Sequence, residues 1–235
     1  MPPSSPLILP KSHPSPTKFQ TLLDRYKSLR LTSLLLSPSC FGSTHAREAV
    51  FPQEKWLSRL TNPVATTIII YEDVASTSSL TNGCSSLDMA LTAEWLATLT
   101  INGPLDQQTL SSSLHLDPSI VDFGPTHQTS PDVPTSQYVI NGMFVIPAAR
   151  GKKLGTQLLE FARTHVVAEI GTQRAETKRG GGGGARISLI VDYDNEPARK
   201  TYERSGFEIV HRYWFDDYRE GRESRTEAAV MVLDI

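Results

Sequence analysis

Between Phe19 and Pro38 the apolar positions recur with the period of a helix: Leu22, Tyr26, Leu29 and Leu36 share one face, Ser33 interrupts it, and Pro38 closes the segment. A shorter helix is predicted over "PQEKWLSRL", opening on Pro52, whose missing N–H costs nothing in a first turn, and presenting Trp56, Leu57 and Leu60 to a core. The pattern then turns β-like. "VATTIIIYE" (64–72) and "MALTAEWLATLTI" (89–101) read as two strands of a hairpin joined through the serine-rich "ASTSSLTNGCSS". "SQYVINGMFVIP" predicts a buried strand, followed by a basic corner and a helix to about residue 170. "ISLIV" (187–191) predicts another buried strand, "NEPARKTYERSG" a helix capped by Asn195 and terminated by Gly206, and "FEIVHRYWF" and "EAAVMVLDI" the last two strands. The order α, α, β, β, β, α, β, α, β, β describes an α/β fold, a mixed sheet with helices on its faces.

Three stretches fall outside this pattern. Six prolines between Pro2 and Pro16 predict a disordered tail over residues 1–18. Residues 103–136, rich in Pro, Ser, Asp and Thr, predict a long irregular insertion of the kind that forms a flap, and 171–185, with five consecutive glycines from Gly180, predicts a flexible one. The remainder, 19–235, reads as a single domain.

Composition narrows the function classes. The 23 Lys+Arg and 25 Asp+Glu nearly cancel and form no basic stripe, which argues against a nucleic-acid partner. Cys40 and Cys84 lack metal or redox spacing, so no metal is expected and a reduced, cytoplasmic setting is the simplest reading. The apolar runs fall well short of the roughly 20 residues that span a bilayer, and the N-terminus lacks the features of a secretory or transit signal, so no membrane partner is expected.

The chemistry concentrates in two places. In "FVIPAARGKKLGTQLLEFA", a strand ending at Val145 meets a helix beginning near Lys153 or Leu154, so the first helical N–H groups point unpaired into the joining loop. Gly151 and Gly155 let a bulky anion approach the backbone, Arg150, Lys152 and Lys153 add charge, and the helix dipole adds more. A pyrophosphate suits this corner, although "RGKKLG" satisfies neither the P-loop nor the dinucleotide pattern. In "LIVDYDNEPARKTYERSGFEIV", Asn195, Ala198 and Tyr202 stand at i, i+3 and i+7 on one helix face.

Together these segments resemble the GCN5-related N-acetyltransferase (GNAT) family. Its pattern Q/R-x-x-G-x-G/A is similar to Arg150–Gly155, with Lys153 standing where the family has its first glycine; that side chain either narrows the phosphate loop or supplements its donors. Its N-x-x-A-x-x-x-Y-E-x-x-G-F pattern is met at Asn195, Ala198, Tyr202, Glu203, Gly206 and Phe207. "RLTSLLLSPSCFGSTHAREAVFPQEKWLSRL" resembles the family's opening helix pair, and the likeness covers nearly everything after residue 19.

The resemblance implies a mixed, mostly antiparallel central sheet flanked by helices, acetyl-CoA as the donor, and transfer of its acetyl group to a small-molecule or peptide amine by direct attack on the thioester. A homodimer is compatible with it. It implies that the backbone of Met143, Phe144 and Val145 pairs with the pantetheine arm, that Arg150, Gly151, Lys152, Lys153, Leu154, Gly155 and Thr156 hold the pyrophosphate, and that Asn195 touches the arm. Tyr202 is the implied general acid, since a phenol with a pKa of about 10 keeps its proton at neutral pH yet can pass it to a thiolate. For a base the chain offers Glu72, Asp73, His211 or a water chain. "HRYWFDDYRE" reads first as a strand entering a hairpin, and its aromatics beside Asp216 and Asp217 also suit an amine. The rival reading is an acyl-CoA-binding module of the same fold that has lost turnover.

Overall fold

The computed structural model describes residues 4–72, 86–121, 136–177, 184–219, 222 and 224–235. Its strands are β1 (Ser4–Ile8), β2 (Ala65–Glu72), β3 (Trp95–Leu105), β4 (Ser136–Val145), β5 (Ala185–Asp192), β6 (Glu208–Asp216) and β7 (Arg225–Asp234). Its α-helices are α1 (Pro16–Leu36), α2 (His45–Ala49), α3 (Gln53–Leu60), α4 (Ser86–Thr92), α5 (Gln107–Leu114), α6 (Leu154–Thr177) and α7 (Glu196–Arg204). The seven strands form one mixed sheet in the order β1-β2-β3-β4-β5-β7-β6, with β4 and β5 parallel and the β1/β2, β5/β7 and β6/β7 pairs antiparallel. By its contacts the chain divides into two compact units: Met1–Thr100, Gly142–Leu158 and Arg219–Gly221, and the remaining residues, Ile101–Asn141, Leu159–Tyr218 and Arg222–Ile235.

The first unit is built around α1, whose start is fixed by Pro16 and by Ser15, the hydroxyl of which accepts from the Lys18 N–H. Leu22, Leu29 and Leu34 are buried with Trp56, Ile69, Tyr71, Trp95 and Phe144. Leu36, expected on that buried face, is 52% exposed: it is the final residue of the helix, and in its last turn Ser33 and Leu34 are the buried residues. The buried Glu48 of α2 lies between Arg30 and Arg59, accepting from Arg30 Nε and Nη2 at 3.1 and 2.8 Å and from Arg59 Nη1 at 2.7 Å. Burial pushes its carboxyl up, but these charged donors outweigh burial and hold it at about 2. One acidic side chain thereby ties α1, α2 and α3 together.

Four sequence expectations are corrected. The tail is not irregular throughout: Ser4–Ile8 form β1, paired from Ser4↔Glu72 to Ile8↔Ile68, and Leu9 is buried. Proline density hid a short apolar run that reaches a sheet edge, where Pro6 is tolerated because one side of an edge strand has no ladder to complete. Residues 89–101 are not one strand, since α4 occupies their start and the Trp95 indole N–H donates to Ala90 O at 2.7 Å across the turn. The long insertion contains the end of β3 and α5, which is capped by Asp106 through the Thr109 N–H at 2.7 Å and anchored by Leu110 and Leu114. The α6 helix continues to Thr177, and the expected loops at 122–135 and 178–183 lie outside the described residues.

In the second unit, Leu110, Leu114, Val121, Val139 and Val230 form a core, to which Tyr213 contributes by packing and by donating its hydroxyl to Leu114 O at 3.1 Å. At the end of β7, Asp234 receives Nε and Nη2 of the buried Arg186 at 2.6 and 2.9 Å. The fork geometry satisfies both buried charges at once. No helix among the described residues is long and apolar enough to cross a membrane.

Candidate functional site

The strand that leads into the basic corner is irregular by design of its sequence. In β4, Tyr138, Val139 and Ile140 are buried, then Asn141 and Gly142 are both exposed, and Gly142 takes a φ of +62°. Two outward residues in succession with a left-handed glycine break the in–out alternation, as a β-bulge does. The parallel ladder with β5 runs from Ser136↔Ala185 to Val139↔Ser188 and stops ahead of that point. Met143 and Val145 are half-buried and Phe144 is buried, its ring 6.4 Å from that of Phe41. The asparagine–glycine pair inside an otherwise apolar strand was the sequence signal for this break in alternation.

After Val145 the chain makes a 3-10 turn at Pro147–Ala149, with Ala149 N–H donating to Ile146 O at 2.9 Å and Arg150 N–H to Pro147 O at 3.1 Å. Ala149 is buried and anchors the turn. The Arg150 guanidinium is directed back along the loop, Nε donating to Val145 O at 3.3 Å and Nη2 to Ser37 Oγ at 2.9 Å. Arg150 thus braces the corner, and Ser37 is a supporting residue that sequence reasoning did not single out.

Gly151 has φ +79°, and a Cβ built there would meet nothing within 4 Å, so its glycine is required by conformation and not by crowding. Lys153 has φ +61°, the conformation that the missing family glycine would supply without penalty. A lysine pays for it, at roughly 1–2 kcal/mol. Lys153 O then accepts from Gln157 N–H at 3.0 Å as the first helical bond. Among the described residues no side chain or backbone carbonyl accepts from the N–H groups of Leu154, Gly155 and Thr156. Lys152 and Lys153 are exposed and form no ion pair among those residues. Behind this uncapped end, Leu154, Leu158, Ala162, Val166 and Ile170 are buried at every fourth position, which fixes the helix axis. Open glycine, free donors and unpaired cations fit a pyrophosphate.

Asn195 and Tyr202 lie in the second unit, whereas the ten other expected site residues, which fall between Met143 and Thr156, lie in the first. Asn195 caps α7 as expected, its Oδ1 accepting from Ala198 N–H at 3.4 Å, and its own N–H donates to Asp192 O at 2.9 Å. Tyr202 is 8% exposed, with its ring edge-on to Phe207 at 5.9 Å. Gly206 closes the helix at φ +91°. Of the base candidates, Glu72 ends β2 in the first unit, His211 stacks on Tyr213 in the second, and Asp73 lies outside the described residues. Asp217 is buried and accepts from Thr226 Oγ1 at 2.5 Å, so it serves the β6–β7 hairpin, while Asp216 is exposed.

Residues 120–209 match the family model described as an acetyltransferase (GNAT) domain, a span that holds both motifs. The resemblance read from the sequence therefore holds, and the fold is that of the GNAT acyl-CoA N-acyltransferases. Among solved structures, Arabidopsis thaliana NAA60 in complex with acetyl-CoA is similar at 14% identity and a TM-score of 0.55, covering 99% of each chain. A GNAT-family acetyltransferase from Streptococcus pneumoniae is similar at 14% identity and 0.51, covering 98% of this chain and all of that one. A putative acetyltransferase from Acinetobacter baylyi gives 9% and 0.56, covering 100% and 94%. Among curated proteins none matches this sequence.

Proposed function

We propose that this chain, with a GNAT fold and a GNAT domain match over residues 120–209, is an acetyl-CoA-dependent N-acetyltransferase that acetylates a primary amine by direct attack on the thioester. The observation that carries this reading is the uncapped start of α6: an open Gly151, three N–H groups with no acceptor among the described residues, and the ammonium groups of Lys152 and Lys153 with no ion-pair partner among them. Such an end attracts a phosphate group through both its donors and its dipole. Acetyl-CoA supplies the acetyl group and a thiol leaving group when bound. Leu154, Gly155 and Thr156 would bind its pyrophosphate through their N–H groups, with Arg150 holding the loop to Val145 and Ser37. Val145 N–H would polarise the thioester carbonyl, a role worth about 3–4 kcal/mol where such a donor has been removed. Tyr202 would return a proton to the departing sulfur.

The buried ring of Tyr202, packed on Phe207, favours a second reading in which the tyrosine is structural and the protein only binds acyl-CoA. Calorimetric titration with acetyl-CoA, followed by thiol release across a panel of amines, separates the two. The enzyme reading expects binding and amine-dependent thiol release, with Tyr202→Phe lowering kcat about 100-fold or more while acetyl-CoA binding is retained. Binding without release from any amine favours the binding module. An absence of binding removes both.

A further inference from the structure

Three arginines from three different elements converge on the few residues that precede Asn195. Arg222, between β6 and β7, grips Asp194 as a fork, with Nη1 to Oδ2 and Nη2 to Oδ1 both at 2.9 Å. Its Nη2 also lies 3.4 Å from Asp192 Oδ2, and its Nε donates to Asp217 Oδ2 at 3.5 Å. The Arg222 side chain is only 15% exposed and those of Asp192 and Asp217 are buried or nearly so, so these two pairs are screened less than surface ones, while Asp194 is the exposed end of the fork. Arg212 of β6 stacks on Tyr193 at 3.7 Å while donating to Glu227 Oε2 at 2.5 Å, and Arg199 of α7 approaches the same ring at 4.4 Å. The backbone is fixed as well: Tyr193 N–H donates to Glu227 O and Glu196 N–H to Asp194 O, each at 2.8 Å.

A short turn does not need this much to connect a strand to a helix. The Asn195 cap itself is long, at 3.4 Å to Ala198 N–H, and contributes little rigidity alone. The side chains on either side of it supply what the cap does not. Without Arg222, three carboxylates would face one another at the end of β5, and the turn would open to separate them.

We infer that Arg222 is the positioning residue of the β5–α7 turn, holding Asn195 and the head of α7, which carries Tyr202, in the geometry that acetyl transfer requires. The catalytic part of this inference rests on the acetyltransferase reading; the positioning part does not. Arg222 touches neither reacting atoms nor donor in this assignment. It acts through Asp194 and Asp192, and a fork is needed because a lysine can supply the charge but not two parallel donors.

The test uses the full chain with Arg222→Met, Arg222→Lys and Asp194→Asn, the last removing only the exposed end of the fork and so leaving the buried Asp217 contact in place. Two quantities are read: amide hydrogen exchange at Ala198, and kcat against KM for acetyl-CoA. The inference expects Ala198 exchange to rise about tenfold in Arg222→Met while amides in the middle of α6 stay unchanged, and kcat to fall about tenfold with KM within a factor of two. Arg222→Lys should recover part of both, and Asp194→Asn should resemble Arg222→Lys. Arg222→Met should add nothing further to kcat in an Asn195→Ala background. Wild-type exchange at Ala198 in Arg222→Met overturns the inference, and so does faster exchange with unchanged kcat. A wild-type chain that releases no thiol with any amine overturns the acetyltransferase reading and with it the catalytic part, while the exchange result still decides whether Arg222 holds the turn.

Discussion

Two strand-to-helix corners in this chain solve the same problem in opposite ways. At the start of α7 the orphan N–H groups are met from within: Asn195 accepts from Ala198, and the preceding turn is held by Arg199, Arg212 and Arg222. At the start of α6 no acceptor meets the N–H groups of Leu154, Gly155 and Thr156 among the described residues, and the adjacent lysines are unpaired. The first corner is satisfied by its own side chains; the second is left with donors and charge that an anionic ligand can satisfy. The difference distinguishes a cap from a binding site, since a helix end closed by its own side chain has less to offer a phosphate.

The largest expected stability effect comes from neither corner and gives the reference against which both are measured. Glu48→Gln should cost about 3 kcal/mol, because it leaves Arg30 and Arg59 without their common anion, and thermal unfolding checks it. The folded-state pKa of Glu48 is about 2, below its unfolded value, so its contribution is complete above about pH 4.5 and is lost as pH falls through about 2. Wild-type Tm should therefore drop across that window more steeply than that of the glutamine variant. Parallel acid profiles would show that Glu48 does not carry this dependence.

Gly151→Ala should destabilise by about 1–2 kcal/mol through its left-handed φ, with no steric contribution, and should also weaken acetyl-CoA binding in calorimetry. Loss of stability with unchanged binding would remove Gly151 from the open corner's function. Asn195→Ala should cost about 1 kcal/mol of stability, read as a lower midpoint in urea at constant m, as expected of a closed cap. The smallest effect, and the one of opposite sign, belongs to Lys153→Gly. Removing the side chain from a φ of +61° should raise stability by about 0.5–1 kcal/mol. Calorimetry on the same variant decides between the two roles left open for this lysine: tighter binding means that the side chain narrowed the loop, and weaker binding means that its ammonium supplemented the donors.

Local chemistry was the part readable from one dimension. The Asn195 cap, the Gly206 terminator and the 3.6-residue rhythm of α1 and α6 depend on neighbours within a turn or two, so residue order was enough to place them. The basic corner was legible for the same reason, as was its departure from the family pattern at Lys153. What the sequence concealed depended on distant partners. The β1 strand exists because β2 offers an edge more than 50 residues away, and a proline-rich segment gives no local sign of that. The split of 89–101 into α4 and β3 was ambiguous because an apolar run fits either period until packing selects one.

By itself, then, the sequence determined that one helix starts just after Lys153 and another at the Asn195 cap, that the latter ends at Gly206, and which of the two starts carries unspent positive charge, since backbone conformation and capping act over a few residues. Only the tertiary structure decided that Lys153 takes the left-handed conformation, that Arg150 turns back to Val145 and Ser37, and that Arg222 reaches Asp194 from 28 residues away. Those outcomes are settled by long side chains meeting partners brought together by the fold, and the order of residues along the chain does not encode such distances directly.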